Sequence, residues 1–373
     1  MKTLKAVFSI VPDCHAQSGH YRQLWRNHFY DGLRGVVEKL LIPENVDFDW
    51  ARKWQALDLN TTPAEQGPTS QQLWEQIQRA HRQRGLDAVI SYCYSHDVAG
   101  SLVKDVIGLG VPWINFFCDS THAFGRVESL ARTVSLNWFP EQRAIGFYQA
   151  LGVPYFCQPY AVNPACMPDL GCRRITHPLV FIGVPTANRI TQLGWLKLFG
   201  CPAVIRGHGW IGPNDHPFSS SEPMARRLLK ILAQRNWLEK GLRRLFWPGV
   251  RSLARGPLAE QEFADFLRES QMVLGLNQGR DERGRLESYL KFRDIEFPGY
   301  GCCYITEHNG DVVRAFESGK EVLTCRNMRA AAALIRRLRS EPNEAREIGQ
   351  AGRKRVLECH TWSVRLRQLA DQL

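Results

Sequence analysis

Short apolar runs alternate with longer amphipathic segments along the first half of the chain. The clearest amphipathic segment, at about residues 20–40, has helical spacing, and residues 51–70, rich in Pro, Thr, Gln and Gly, are predicted to form a surface loop. The apolar runs, each of strand length, are residues 4–11, 86–94, 113–117, 134–139 and 155–158. Strands separated by helices predict a parallel sheet covered on both faces.

The same alternation begins again after residue 174. Residues 159–174 hold three prolines, a glycine and two arginines and break the pattern, so we place a domain boundary there. The predicted strands of the second series are residues 179–182, 203–205, 250–253, 272–276, 302–306 and 321–324. The predicted helices are one that ends at residue 199, then residues 259–269, 286–296, 311–317, 328–340, 343–360 and 362–373.

This pattern predicts an α/β protein with two Rossmann-like, doubly wound domains facing across a cleft. The first covers residues 1–165, and the second covers residues 175–360 with a basic insertion at residues 214–256. The last helix, residues 361–373, is predicted to pack back on the first domain. In such a plan ligands lie at the carboxyl ends of the strands, but several classes of enzyme share it, so the fold alone does not select the chemistry.

Composition narrows the class of protein. The 373 residues are 44% hydrophobic and 23% charged, and no run approaches the ~20 apolar residues that a membrane span needs. The N-terminus is typical of a first β-strand rather than a signal peptide. Eleven cysteines, without paired Cys-x-x-Cys spacing, are expected to be buried free thiols. These features predict a cytoplasmic protein.

The net charge of +11 is concentrated in the second half of the chain. Residues 1–170 carry 15 Lys/Arg and 16 Asp/Glu, whereas residues 171–373 carry 33 and 21, which predicts an anionic ligand or surface for the second half. Within it, residues 224–256 hold nine Lys/Arg, one acid and apolar residues near helical spacing. Such a helix suits the anionic inner face of a membrane; the alternative is a helix packed on its own domain. Nucleic acid is disfavoured because no known binding motif occurs.

Four predicted strand ends in the second half carry glycines or anion-binding side chains. Glycine lets backbone N–H groups approach anionic oxygens, arginine pairs with phosphate, and a carboxylate binds adjacent hydroxyl groups. The candidate ligand-binding residues are Gly183, Arg189, Arg206, His208, Trp210, Asn277, Arg293, Glu296, Thr306 and Glu307. Each turn alone is also compatible with ordinary packing. Trp210 could stack on a nucleotide base, and the alternative is a tryptophan packed within its loop. Together they predict a ligand that carries a sugar beside phosphates.

In the first half, the strand at residues 113–117 ends in polar residues that include Asp119 and His122. Either side chain could act as a general base or stabilise charge at the carboxyl edge of the sheet. The loop at residues 12–20 could serve similarly. A solvated surface histidine is the alternative for each, and His122 is the stronger candidate because it shares its strand end with Asp119.

The segment from Leu290 to Glu307, with Phe316–Val322, resembles the signature of the CgeB-type (spore-maturation) glycosyltransferases. Residues 348–362 are similar to the end of the same domain, and the turns at Gly183 and Gly207 resemble the family's phosphate-facing turns. The likeness covers most of residues 178–365. It implies the GT-B fold, with a nucleotide-sugar donor held by the second domain.

In related retaining transferases, two glutamates stand eight positions apart. Glu296, five residues before Gly301, matches the later one, which holds the nucleotide ribose. Ser288 occupies the earlier, sugar-facing position, and Glu287 lies one residue away. The resemblance therefore implies a retaining transferase with Glu287 as the candidate sugar-facing acid.

These features predict a glycosyltransferase that moves a sugar from a nucleotide-diphosphate sugar to a glycan, lipid-linked or protein acceptor, in the synthesis of a surface glycan or glycoconjugate. Arg189, Arg206 and backbone amides would stabilise the leaving diphosphate. Because no Asp-x-Asp motif occurs in the predicted second domain, we expect neither a metal nor a cofactor. The alternatives are a nucleotide-sugar epimerase or hydrolase, a catalytically silent glycan- or membrane-binding relative, and a nucleic-acid-glucosylating or -binding protein.

Overall fold

The computed structural model describes residues 4–15, 21–48, 68–167, 171, 174–211, 237–280 and 286–373. The chain divides into two compact units, Met1–Cys166 with Val356–Leu373, and Met167–Arg355. Most of the surface loop predicted at residues 51–70 lies outside the described residues, as do residues 16–20 and residues 212–236, which include the first part of the basic insertion.

The first unit is built on a parallel sheet. Its strands are β1 Ala6–Ile10, β2 Lys39–Leu41, β3 Ala88–Ser91, β4 Trp113–Phe116, β5 Leu136–Phe139 and β6 Tyr155–Cys157. Its α-helices are α1 Tyr21–Trp25, α2 Asp31–Arg34, α3 Pro68–Arg84, α4 Gly100–Gly108, α5 Ser120–Ala123, α6 Glu128–Ala131 and α7 Ile145–Leu151, and a π-helix at Arg26–Tyr30 joins α1 to α2. The order is β2-β1-β3-β4-β5-β6. Residues of β3, β4 and β5 are buried throughout, as expected for strands covered on both faces.

The second unit repeats this plan. Its strands are β7 His177–Ile182, β8 Val204–Arg206, β9 Ser270–Gly275, β10 Gln278–Arg280, β11 Leu286–Ser288, β12 Cys303–Glu307 and β13 Leu323–Cys325. The helices from here to the end of the chain are α8 Ala187–Leu198, α9 Trp237–Arg251, α10 Glu260–Arg268, α11 Phe292–Gly299, α12 Gly310–Ala315, α13 Met328–Ser340, α14 Pro342–Cys359 and α15 Trp362–Ala370. Parallel strands lie in the order β13-β12-β9-β7-β8, and β10 and β11 form an antiparallel hairpin.

The predicted fold class is confirmed, but three predicted elements are wrong. The helix predicted at residues 20–40 ends at Arg34, and the chain then enters β2. The run predicted as a strand at residues 250–253 is instead the end of α9, where Val250 is buried, and the turn that follows Arg251. The helix predicted at residues 286–296 is divided into β11 and α11. The backbone N–H of Lys291 donates to the Asp294 carboxylate and sets the start of α11.

Helix α9 lies in the basic segment that the sequence relates to a membrane surface. Its residues Trp247 and Val250 are buried, and Phe246 packs so closely on α8 that a Cβ atom on Gly194 would lie 2.6 Å from the Phe246 Cβ. Leu245 is 72% exposed. In residues 241–251 the apolar side of the helix therefore packs on its own unit, as the alternative interpretation expects. Across the described ranges, no helix has the length and apolar character that crossing a bilayer requires.

The C-terminal helix α15 belongs to the first unit. Trp362 at its start is fully buried, and its indole Nε1–H donates to the backbone oxygen of His28. The Trp362 ring packs edge-on against Phe29, with ring centroids 4.9 Å apart. Gly32 makes this approach possible, because a Cβ atom there would lie 2.7 Å from the Trp362 Nε1.

We expect Gly32→Ala to lower the free energy of unfolding of the first unit by about 1–3 kcal/mol, because the added methyl group overlaps the indole ring. Gly35→Ala is the matched control. Gly35 has a φ of −72°, and its Cβ would meet its nearest neighbour at 3.7 Å. Urea denaturation of both variants measures the difference. Equal stabilities would show that α15 is not fixed by the Trp362 contact.

Candidate functional site

The turn after β7 brings two arginines to one glycine. A Cβ atom on Gly183 would lie 3.0 Å from Nη1 of Arg293 and 3.3 Å from Nη1 of Arg189. Arg189 donates from Nε to the oxygen of Leu276 (3.0 Å), and Arg293 donates from Nη1 to the oxygen of Ile182 (2.8 Å). The absence of a side chain at residue 183 therefore leaves room for two guanidinium groups at the carboxyl end of β7.

The backbone of Gly183 is itself engaged. Its N–H donates to the oxygen of Arg206 (2.9 Å), and its oxygen accepts the Trp210 Nε1–H (2.6 Å). The N–H of Gly207 likewise donates to Gly256. These two amides are therefore not free to bind phosphate in the way the sequence suggests, and the contribution of Gly183 to the site is steric.

Asn277, directly after β9, connects the neighbouring elements. Its backbone N–H donates to Oε2 of Glu307 (2.7 Å), and its side-chain Nδ2 donates to both carboxylate oxygens of Asp294 (2.8 and 2.9 Å). Asp294 also accepts the Tyr304 hydroxyl (2.7 Å) and the Thr306 hydroxyl (3.2 Å). Asn277 thus joins the end of β9 to the end of β12 and to the first turn of α11.

Glu307 is the second buried acid of this network. Its Oε1 accepts the Gln192 Nε2–H from α8 (2.7 Å), and its Oε2 lies 3.4 Å from the Ser288 hydroxyl. Burial raises the pKa of Glu307 to about 7, and it raises the pKa of Asp294 to about 6. Hydrogen bonds and the nearby guanidinium groups, Arg189 for Glu307 and Arg293 for Asp294, oppose these increases in pKa.

Several predicted site residues therefore lie together at the carboxyl edge of the second sheet. They are Gly183, Arg189, Asn277, Arg293, Thr306 and Glu307. Glu296 lies on the same helix as Arg293 and is buried, with 4% of its surface exposed. Glu287 is half-buried on β11, opposite Gly279 in the hairpin. Thr306 donates to the oxygen of Gly275 (2.9 Å) as well as to Asp294, so its hydroxyl serves the network.

The residues after β8 are directed differently. The Arg206 guanidinium donates to the backbone oxygens of Arg255 (3.3 Å) and Pro257 (3.1 Å), and it lies 3.7 Å from the Glu262 carboxylate. Trp210 is fully buried and stacks on Trp247, with centroids 5.9 Å apart. Its indole is therefore part of the core, in agreement with the packing alternative rather than base stacking.

His208 lies in the same turn and is exposed. Its role as a phosphate ligand stays a prediction.

In the first unit, Asp119 and His122 lie at the carboxyl edge of the sheet. His122 Nε2 is 3.6 Å from Asp119 Oδ1, and their side chains are 32% and 29% exposed. The backbone N–H of Thr121 between them donates to Glu141 Oε2 (2.8 Å), which follows β5. The structure thus brings the two candidate catalytic residues into contact at the start of α5, which the buried Glu141 carboxylate holds.

Asp294 and Gln192 contribute to the second-unit site, but sequence reasoning named neither of them as a site residue. Asp294 accepts the N–H three residues before it, a spacing that marks a helix start. The signal is hidden because the apolar pattern extends the predicted helix back to residue 286. Gln192 carries no such local signal, since only the tertiary fold brings α8 to β12.

Comparison with known proteins identifies the architecture. Sucrose-phosphate synthase from Thermosynechococcus elongatus is 12% identical with a TM-score of 0.57, and each chain is covered over 98% of its length. A glycosyltransferase from Rickettsia africae is 11% identical over 98% of this chain and 97% of its own, with a TM-score of 0.57. The Anabaena protein HepE in complex with UDP is 10% identical over 98% of both chains, with a TM-score of 0.55. The chain has the GT-B fold, built from two Rossmann-like units.

The sequence itself matches one family model. The model described as glycosyl transferase-like matches residues 222–371, a range that includes five of the ten candidate ligand-binding residues and excludes Gly183 and Arg189. No curated protein matches the chain significantly.

The raised pKa of Glu307 predicts a pH dependence of stability. In the native state the carboxyl group holds its proton up to about pH 7, whereas the unfolded chain releases it near its ordinary value of 4.5. The free energy of unfolding should therefore fall as pH rises from about 4.5 to about 7, by about 2–4 kcal/mol from this group. Denaturant titrations of wild type and Glu307→Gln should differ in slope across this window. Identical slopes would contradict a raised Glu307 pKa.

Proposed function

We propose that the protein is a glycosyltransferase that uses a nucleotide-diphosphate sugar, with the donor bound by the second unit. The observation that carries this proposal is the pair of guanidinium groups of Arg189 and Arg293 at Gly183. Two adjacent cations at a strand end match the charge and size of a diphosphate. The fold and the match to the glycosyl transferase-like family support the same class of reaction.

In this mechanism, Arg189 and Arg293 stabilise the negative charge that develops on the leaving diphosphate as its bond to the sugar breaks. Glu296, on the same helix as Arg293, would hold the ribose hydroxyls of the nucleotide. A structural neighbour has been solved with UDP and with UDP-glucose, which supports testing uridine nucleotides first. Metal independence, a retaining outcome and the CgeB-type subfamily are further parts of the proposal. The acceptor class, and any contact of residues 224–256 with an anionic membrane, stay open predictions.

The first unit would serve the acceptor. His122 and Asp119 lie 3.6 Å apart at a strand end, so a carboxylate there can orient the imidazole or stabilise its charged form. A group in this position can remove the proton of an acceptor hydroxyl as that hydroxyl attacks the sugar.

Replacement of the guanidinium groups should weaken donor binding. We expect Arg189→Met and Arg293→Met each to lower the affinity for the matching nucleoside diphosphate by about 10- to 100-fold, because each removes a charge-assisted hydrogen bond to phosphate. Calorimetric titration with UDP, GDP, ADP and CDP provides the measurement. Glu296→Ala should reduce affinity for the same nucleotide through the loss of the ribose contact.

Arg336→Met is the matched control for these variants, because Arg336 also donates to a backbone oxygen, that of Phe199 (3.0 Å), in the same unit. Its nucleotide affinity should equal that of wild type. The donor-site assignment is wrong if all three site variants bind every nucleotide as tightly as wild type does.

Replacement of the first-unit pair should affect turnover and spare donor binding. We expect His122→Ala and Asp119→Asn to lower the rate of sugar transfer by about 10²-fold or more, the usual contribution of a positioned acid or base. Nucleotide affinity should stay that of wild type, because these residues belong to the first unit. Transfer rates equal to wild type with the true acceptor would exclude a catalytic role for the pair.

A further inference from the structure

Two buried side-chain amides at the carboxyl edge of the second sheet have oxygens without partners. Gln192 is 8% exposed and Asn277 is 4% exposed. Within the described part of the chain, Gln192 Oε1 and Asn277 Oδ1 accept no hydrogen bond. Buried polar atoms are nearly always paired, so two orphaned acceptors at one strand end call for a ligand or water that completes them.

The orientation of both amides is fixed by their nitrogen atoms. Gln192 Nε2 donates to Glu307 Oε1 (2.7 Å) and to Gln278 Oε1 (3.0 Å). Asn277 Nδ2 donates to both oxygens of Asp294, which also accepts hydrogen bonds from hydroxyl groups and a backbone N–H. With Glu307 and Asp294 ionised, rotating either amide by 180° would place its oxygen against acceptor atoms. The two free positions therefore accept hydrogen bonds and cannot donate them.

The cations of the donor site lie next to this pair. Arg189 donates to the oxygen of Leu276, the residue before Asn277, and its charge acts on Glu307. One strand end thus presents donors of positive charge, which suit a diphosphate, beside acceptors that require a ligand with O–H groups. A sugar ring joined to a diphosphate carries both kinds of group.

We propose that Gln192 and Asn277 form a hydroxyl-accepting subsite that binds a sugar ring attached to the diphosphate. The inference rests on the proposed function and adds the residues that recognise the ring. The shared chemistry is that of ring hydroxyl groups, whether they belong to the transferred sugar or to the ribose.

The test compares Gln192→Met with wild type by calorimetric titration. The ligands are UDP-glucose, GDP-mannose and ADP-glucose with their matching diphosphates, and the pair that wild type binds is used further. Methionine has similar length but offers no amide oxygen, so we expect the affinity for the nucleotide sugar to fall about tenfold. A loss confined to the sugar-bearing ligand assigns the subsite to the transferred sugar. An equal loss for the diphosphate, absent for its 2′-deoxy form, assigns it to the ribose.

Gln271→Met is the matched control. Gln271 lies at the amino end of β9, where its Nε2 donates to the oxygen of Leu338 (3.1 Å), and its replacement should leave nucleotide affinity unchanged. Thermal unfolding of both variants without ligand checks that they fold.

A second measurement compares ligand analogues on wild type and on Gln192→Met. Analogues that each lack one ring hydroxyl should include one that binds about tenfold more weakly, and this difference should disappear in Gln192→Met. Unchanged affinity of Gln192→Met for every ligand, or uniform affinity across the analogues, means that the two oxygens bind water only and overturns the inference. If wild type binds none of the nucleotides, the proposed function itself fails.

Discussion

The hydrogen bonds of Asn277 to two buried carboxylates are the constraint on which the second-unit site depends. One residue fixes Glu307 at the end of β12 and Asp294 in the first turn of α11. Because α11 also carries Arg293 and Glu296, the start of this helix decides where both side chains lie. Loss of the Asn277 contacts would leave two acids buried without sufficient donors, which is costly, so the network and the site are maintained together.

The buried acids Asp294 and Glu307 and the nearby guanidinium groups of Arg189 and Arg293 balance each other's charge. Buried carboxylates are expensive when ionised, and the raised pKa values of Asp294 and Glu307 express that cost. The guanidinium groups nearby offset part of it, and the acids in turn stabilise the arginines before an anionic ligand binds. A diphosphate that reaches Arg189 and Arg293 would compete with these acids for positive charge. Ligand binding and proton uptake by the network should therefore be linked.

The strand–helix alternation was sufficient to predict the fold class, because buried parallel strands produce apolar runs that the helices between them do not. It failed where tertiary contacts decide. Val250 is apolar because it is buried on helix α9, and the region around Ser288 forms a hairpin whose pairing no local pattern specifies. Arg206 shows why the sequence pattern does not predict every site residue. The strand end fixes the position of its backbone, but carbonyl groups some 50 residues away determine the direction of its side chain.

The sequence also located more of the donor site than of its supporting network. Arg189 is visible because it follows an apolar strand and its Gly/Pro turn, and Arg293 and Glu296 are visible because they precede a Gly/Pro turn. Gln192 became recognisable only through its contact with Glu307, 115 residues away. Polar residues that support a site from a distant helix follow no fixed spacing in the sequence, because the packing of that helix decides which of its residues reach the site.

The central claim is that Arg189 and Arg293 together hold a diphosphate at Gly183. A crystal structure of the protein with its nucleoside diphosphate tests it most directly. The account predicts phosphate oxygens within hydrogen-bond distance of both guanidinium groups and the nucleotide ribose at Glu296. A diphosphate bound elsewhere, for example at Arg206, and out of reach of both arginines would contradict it.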